Sequence, residues 1–193
     1  ANELGVKFRA DSDGYITGLR FYKAPNNTGT HIAHLWDSTG TLLGTVTVTG
    51  ESVAGWQQML FASPIPVVAN TTYVASYFAP AGHYSGDANF FVNAGVDNAP
   101  LHALANGVDG ANGVYLATPT GGFPTASSQS TNYWVDVVYS NTQGYSIVGT
   151  ITGPGAAGAT VSLSGTSTAT TTADSSGNYS FSGLSNGSYT VTP

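Results

Sequence analysis

A chain of 193 residues has room for one large or two modest domains, each with a buried core. Only 7% of its residues are charged and 11% are aromatic, cysteine is absent, and the net charge is −6. That excludes disulfides and thiolate metal sites. The four basic residues, Lys7, Arg9, Arg20 and Lys23, are too few and too confined to build a surface for nucleic acid or an anionic membrane.

The polar positions are filled by Gly, Ser, Thr and Asn rather than by charges, and helical periodicity is weak, which predicts an all-β chain. Leu4, Val6 and Phe8 alternate with Gly5, Lys7 and Arg9, the pattern of a half-buried strand. Asp11-Ser12-Asp13-Gly14 is a turn and Tyr15 to Lys23 a second strand. Thr30 to Trp36 and Leu42 to Val48 flank Asp37-Ser38-Thr39-Gly40, a hairpin signal. Trp56 to Phe61 and Thr72 to Phe78 are strands, separated by a Pro64/Pro66 segment suited to a sheet edge.

From Ala79 to Thr131 the pattern loosens. Leu101 to Leu104 is the one candidate helical turn, Gly113 to Ala117 a candidate strand, and long loops of this kind are expected to be functional or pinned by a ligand or partner. Asn132 to Tyr139 is the densest run of β-branched and aromatic residues, and its two apolar faces predict a strand inside a sheet, with Trp134 in the core. No apolar run is long enough to span a bilayer. About eight strands in the first 140 residues predict two packed antiparallel sheets, jelly-roll-like.

Several motifs are recognisable. Glu3-Leu4-Gly5-Val6-Lys7-Phe8, Gly18-Leu19-Arg20-Phe21-Tyr22-Lys23, Gly55-Trp56-Gln57-Gln58, Gly82-His83-Tyr84, Gly110 to Tyr115 and Asn132 to Val138 together resemble a domain family of unknown function. That family occurs in large secreted bacterial proteins, often beside immunoglobulin-like modules, and has no established catalytic residues. Ile147 to Ile151, Gly158 to Leu163, Asp174 to Phe181 and Leu184 to Val191 resemble the carboxypeptidase-regulatory-like module, a small immunoglobulin-like, prealbumin-like sandwich. The expected division is 1–140, a linker at 141–144, and 145–193. The resemblances imply an extracellular, bacterial-surface setting, to which a start at Ala1 in place of Met conforms.

Members of the second family continue beyond the Gly-Ser-Tyr-Thr-Val strand, whereas this sequence stops at Pro193. The small sandwich is therefore expected either to be completed by further residues of the natural polypeptide or to take its missing strand from another copy, joining subunits into a homopolymeric fibre. Ile147, Val148, Ile151, Tyr189 and Val191 would line that seam.

His31 and His34 are three apart, so a strand puts them on opposite faces and they cannot share an ion. His83 and His102 have no acidic partner at a telling spacing. Asp11/Asp13 and Asp97/Asp109 offer oxygen ligands, and Glu3 with Asp136 would suit a structural Ca²⁺ between an early and a late strand. The competing reading is Asx turns, with Asp136 paired to Arg20 or Lys7 inside the sandwich. Nucleophile elbows, P-loops and His-Glu-x-x-His motifs are lacking, so catalysis is not expected.

Aromatic side chains are the credible binding surface, since flat apolar faces stack on sugar rings. Trp36, Tyr84, Trp56 and His83 are the expected glycan contacts of an alternative reading, a carbohydrate-binding module of a larger secreted enzyme or adhesin. Asn26, Asn70, Asn178 and Asn186 each begin an Asn-x-Ser/Thr triplet, and the Ser/Thr-rich run with Thr166, Thr168, Thr170 and Thr171 is a candidate for O-glycans.

Overall fold

The structure, a computed structural model, describes residues 1–193 and contains strands but no helix. The chain divides into two compact units, Ala1–Asn141 and Thr142–Pro193. Neither holds a helix long and apolar enough to cross a membrane.

The larger unit carries β1 (Asn2–Ala10), β2 (Gly14–Lys23), β3 (Ile32–Asp37), β4 (Leu42–Thr47), β5 (Gly55–Val67) and β6 (Tyr73–Ala79). These are followed by the short β7 (Val96–Asn98), β8 (Leu101–Ala103), β9 (Val114–Ala117), β10 (Ala126–Ser127) and the closing β11 (Val135–Ser140). One sheet runs β10-β9-β1-β6-β3-β4, with β8 also on β1 and β7 on β8; the other is β11-β2-β5. Every pairing is antiparallel. Leu4, Val6 and Phe8 of β1 meet Leu19 and Phe21 of β2 and Val135 and Val137 of β11 in one core between the sheets. Strand alternation is what places them there: every second residue points inward.

Three local expectations are corrected. β11 begins at Val135, not Asn132, and pairs with β2 alone, so it is a sheet edge rather than a covered interior strand. β5 runs on through Pro64 and Pro66, which is tolerated because β5 is the other edge of its sheet and the prolines have no ladder bond to donate on that side. Leu101–Ala103 forms β8, not a helical turn, because β1 offers it a partner.

The loop between β8 and β9 is held from within. Asn112, fully buried, accepts from the Lys7 backbone N–H at 2.8 Å and donates to the carbonyls of Leu104 (2.6 Å) and Lys7 (3.1 Å). Beside it Gly113 has φ +69°, and a Cβ there would lie 2.1 Å from the Thr131 carbonyl oxygen. Only glycine fits.

The smaller unit carries β12 (Tyr145–Thr150), β13 (Thr160–Gly165), β14 (Ala169–Thr172), β15 (Asn178–Leu184) and β16 (Tyr189–Thr192). Its sheets are β12-β15 and β14-β13-β16. Val161, Leu163, Phe181 and Leu184 form its core, with Ile147, Ile151, Tyr179, Tyr189 and Val191 packed on them.

Candidate functional site

A cleft of about 270 Å³ opens in the larger unit between the β11 edge and the β7–β8 ribbon. Its inner wall is apolar: Phe8, Phe91, Leu101, Ala103, Val135 and Val137. Its mouth carries Trp56, Phe90 and Trp134 with the polar side chains of Asn98 and Asp136, and the buried Asn132 also lines it.

Trp134 reaches this mouth through a backbone device. The side-chain oxygen of Asn132 accepts from the Trp134 N–H at 2.8 Å, an Asx turn that holds Trp134 at φ +54°. The Trp134 carbonyl still accepts from the Tyr22 N–H at 3.0 Å, so the chain re-enters the ladder directly afterwards. Residues before it are anchored by a two-way bridge between Asp87 and Asn132, which leads Phe91 into the core and Phe90 out to the surface.

The aromatic rings form a connected run. Tyr22 meets Trp56 edge-on at 5.7 Å, Trp56 meets Trp134 at 6.3 Å, Trp134 meets Phe90 at 6.0 Å, and Phe90 meets Phe91 at 5.0 Å. Tyr22, Trp56 and Phe90 are each about two-fifths exposed or more, at 41%, 47% and 39%. One register step along the same outer sheet face, Asp136, Arg20 and Gln58 lie side by side on β11, β2 and β5. The Arg20 guanidinium donates to Asp136 and sits 5.3 Å from the Trp56 ring centre, a cation–π contact.

The predicted contacts are scattered. Trp56 is at the cleft. Tyr84 is exposed but stacks edge-on against Tyr133, and His83 is exposed nearby in sequence. Trp36 is not a surface residue: it is 7% exposed, donates from Nε1 to Ser76 at 2.8 Å, and is capped by Phe123. The expectation that Trp134 is core is likewise corrected, because alternation fails where the chain turns left-handed before β11. Phe90, Phe91 and Asn132 are not among the expected contacts; the Asn-Tyr-Trp triplet ahead of a valine run is the available signal.

Glu3 and Asp136 do not meet. Glu3 is fully buried on the outer face of the large sheet, where Oε1 accepts from Ser76 at 2.5 Å and lies 2.9 Å from His34 Nδ1. Asp136 is on the outer face of the opposite sheet, and its pairing with Arg20 is there rather than inside the sandwich. Strand alternation separates them, since Leu4 and Val135 beside each point into the shared core. Asp13 accepts from the Ala69 N–H and Asp109 binds Arg9 and Thr72, so neither carboxylate pair converges on an ion site. His31, buried between Glu51 and Asn27, and His34 lie on opposite faces of the large sheet. His102, unlike expected, has two acidic partners: Asp97 on Nδ1 and Asp11 on Nε2, each at 2.7 Å.

In the smaller unit, Ile147, Ile151, Tyr189 and Val191 turn inward onto the module's own core instead of lining an open seam, because five strands already make two facing sheets. Val148 alone of the five stands out, at 72% exposed. Asn26, Asn70, Asn178, Asn186, Thr166, Thr168 and Thr170 are exposed and Thr171 is half-buried.

Residues 1–135 match the family model "Domain of unknown function (DUF4082)", and residues 134–193 match "SdrD B-like domain". The second match marks the smaller unit as an immunoglobulin-like module of the bacterial surface-protein type, and it is to this model rather than to the carboxypeptidase-regulatory-like one. Neither description names an enzymatic activity. No curated protein and no solved structure matches the chain.

Proposed function

This chain belongs to the DUF4082 family, with an SdrD B-like module behind the family domain, and from that premise we propose that it is a non-enzymatic glycan-binding segment of an extracellular bacterial surface protein. The larger unit is the binding body and the smaller one a spacer. One observation carries this reading: the run Tyr22–Trp56–Trp134–Phe90 leads from an open sheet face into a cleft rimmed by Asn98 and Asp136.

Exposed indoles stack on the C–H faces of sugar rings, while amides and a carboxylate at the rim take the hydroxyls. Asp136 is the carboxylate on the cleft, and Arg20 holds it. Glycoside hydrolysis needs two opposed carboxyl groups, so this geometry supports binding without cleavage. At about 0.3 kcal/mol per non-hydrogen atom, a hexose of about 12 atoms gains about 4 kcal/mol, a Kd on the order of 1 mM. Firm attachment therefore comes from repeated copies on a repeating ligand.

Retention of the purified chain on insoluble polysaccharides tests the reading. Trp56→Ala and Trp134→Ala, each checked for native circular dichroism, are expected to lose binding about tenfold or more. Absence of retention on every polysaccharide tried, by a correctly folded wild-type chain, defeats it.

A second reading has its own observation. β12 pairs with β15 alone and carries exposed Val148 and Tyr145, so its free edge is available for a strand from another copy in a fibre. Sedimentation at rising concentration should then show regular oligomers that Val148→Lys dissolves; a monomer throughout removes it.

A further inference from the structure

The cleft is not equally polar along its depth, and that gradient narrows the class of sugar, an inference that rests on the glycan reading above. We propose that it selects a neutral glycan unit bearing a methyl-terminated substituent, either an acetamido group or the methyl of a 6-deoxy sugar, with that methyl pointing inward.

The inner wall belongs to core positions. Phe8, Phe91, Val135 and Val137 are each less than a tenth exposed, and Ala103 and Leu101 close the far side from β8. A bare hydroxyl driven against this wall gives up water and finds no partner, so an unsubstituted hexose is confined to the mouth. A methyl gains from the same surface. Asn98 and Asp136, the more exposed polar residues of the lining, lie at the rim, where the amide or hydroxyls that flank such a methyl would emerge; the side-chain oxygen of the buried Asn132 is taken by the Trp134 N–H.

Charge excludes the acidic alternatives. Each of the chain's four cations is already engaged: Arg20 with Asp136, Lys23 with Glu51, Arg9 with Asp109 and Lys7 with the Asp109 carbonyl. A uronic acid, sulfated sugar or polyol phosphate finds no unpaired cation at the cleft, and it meets Asp136 in a chain of net charge −6. The cavity of about 270 Å³ takes about one sugar unit, with the rest of a chain lying along the exposed Trp56–Tyr22 face.

Affinity electrophoresis or calorimetry with the whole chain separates the cases. Four probes suffice: chito-oligosaccharides, their deacetylated counterparts, cello-oligosaccharides, and a rhamnose- or fucose-terminated oligosaccharide. The acetylated or the 6-deoxy probe is expected to bind at least tenfold tighter than the cello-oligosaccharide, and which of the two wins identifies the source of the methyl. Ala103→Leu, with Ala103→Phe as a stronger version, fills the inner cleft and should lower binding of the favoured probe at least tenfold; native circular dichroism confirms folding, and unchanged binding of that probe by a folded variant counts against the inference. Equal binding of all four probes, or tighter binding of the deacetylated one, overturns the inference and leaves glycan binding standing. Binding of none overturns both.

Discussion

His34 Nδ1 lies 2.9 Å from Oε1 of Glu3, a carboxylate with no solvent exposure that also takes the Ser76 hydroxyl at 2.5 Å. Ser76 in turn accepts from the Trp36 indole at 2.8 Å, so four side chains from β1, β3 and β6 are tied under the loop that carries Phe123. Hydrogen bonds to a charged group contribute about 1.5–3 kcal/mol each, so Glu3→Ala is expected to cost about 3 kcal/mol or more in urea unfolding followed by tryptophan fluorescence. Glu3→Gln keeps both partners and should cost less than half as much. Equal losses for the two substitutions would show that the negative charge, rather than the shape and the hydrogen bonds that Gln retains, is what matters there.

A second prediction concerns the ribbon that walls the cleft. His102 on β8 is held above its ordinary pKa, chiefly by Asp97 on Nδ1 and next by Asp11 on Nε2. Arg9, opposite His102 in register, is occupied by Asp109. Because the folded pKa is raised, the charged pairing is fully present below the unfolded value of about 6.5 and is lost as pH rises through the folded one. Amide hydrogen exchange at Leu101 to Ala103 should therefore speed up, beyond the intrinsic base catalysis, as pH climbs past neutrality. His102→Gln should remove that excess. Both carboxylates are largely exposed, so added salt should shrink the effect.

The turn between β3 and β4 offers an acidic counterpart. Asp37 is lowered to about 2, first by the Thr39 hydroxyl and then by the Thr41 N–H, both on its carboxylate. Here the pairing is present above the unfolded value and is lost as pH falls through about 2. A carboxyl titration followed by NMR should find Asp37 among the lowest midpoints in the chain. A midpoint near 4 would mean that the turn does not hold its threonines.

Asn112 makes a prediction about order rather than affinity. Asn112→Ala leaves the Lys7 N–H and the Leu104 carbonyl without their partner, at about 1–3 kcal/mol per orphaned group. It should also raise proteolytic nicking between residues 105 and 111. Unchanged stability and unchanged cleavage would place the loop's anchor elsewhere, with Gly113 the next candidate.

Asn132 separates the two roles of its own segment. Asn132→Ala removes the acceptor for the Trp134 N–H but no part of the core, so the domain should stay folded while the indole loses its fixed place beside Trp56. Glycan retention is then expected to fall by roughly the same factor as in Trp134→Ala. Full retention would mean that the left-handed turn is not what positions the ring.

Much of this was legible in the residues themselves. Period-two alternation in Leu4–Phe8 and Leu19–Phe21 marks half-buried strands, Asp37 to Gly40 marks a hairpin, and the change in composition after Ser140 lies beside the break between the units after Asn141. These are local properties, set by side-chain periodicity and turn chemistry. What local pattern could not decide is which strand lies at an edge, which face of a sheet is covered, and where alternation breaks. Trp36 reads as a loop-side ring but is covered by Phe123 from 87 residues away, while Trp134 reads as core but is turned outward by one Asn132 hydrogen bond. His102 finds its carboxylates only because β7, β8 and the end of β1 are brought together. Contacts between residues so far apart are settled by the packing of the whole sandwich, which is why the strands belong to the sequence and the cleft to the fold.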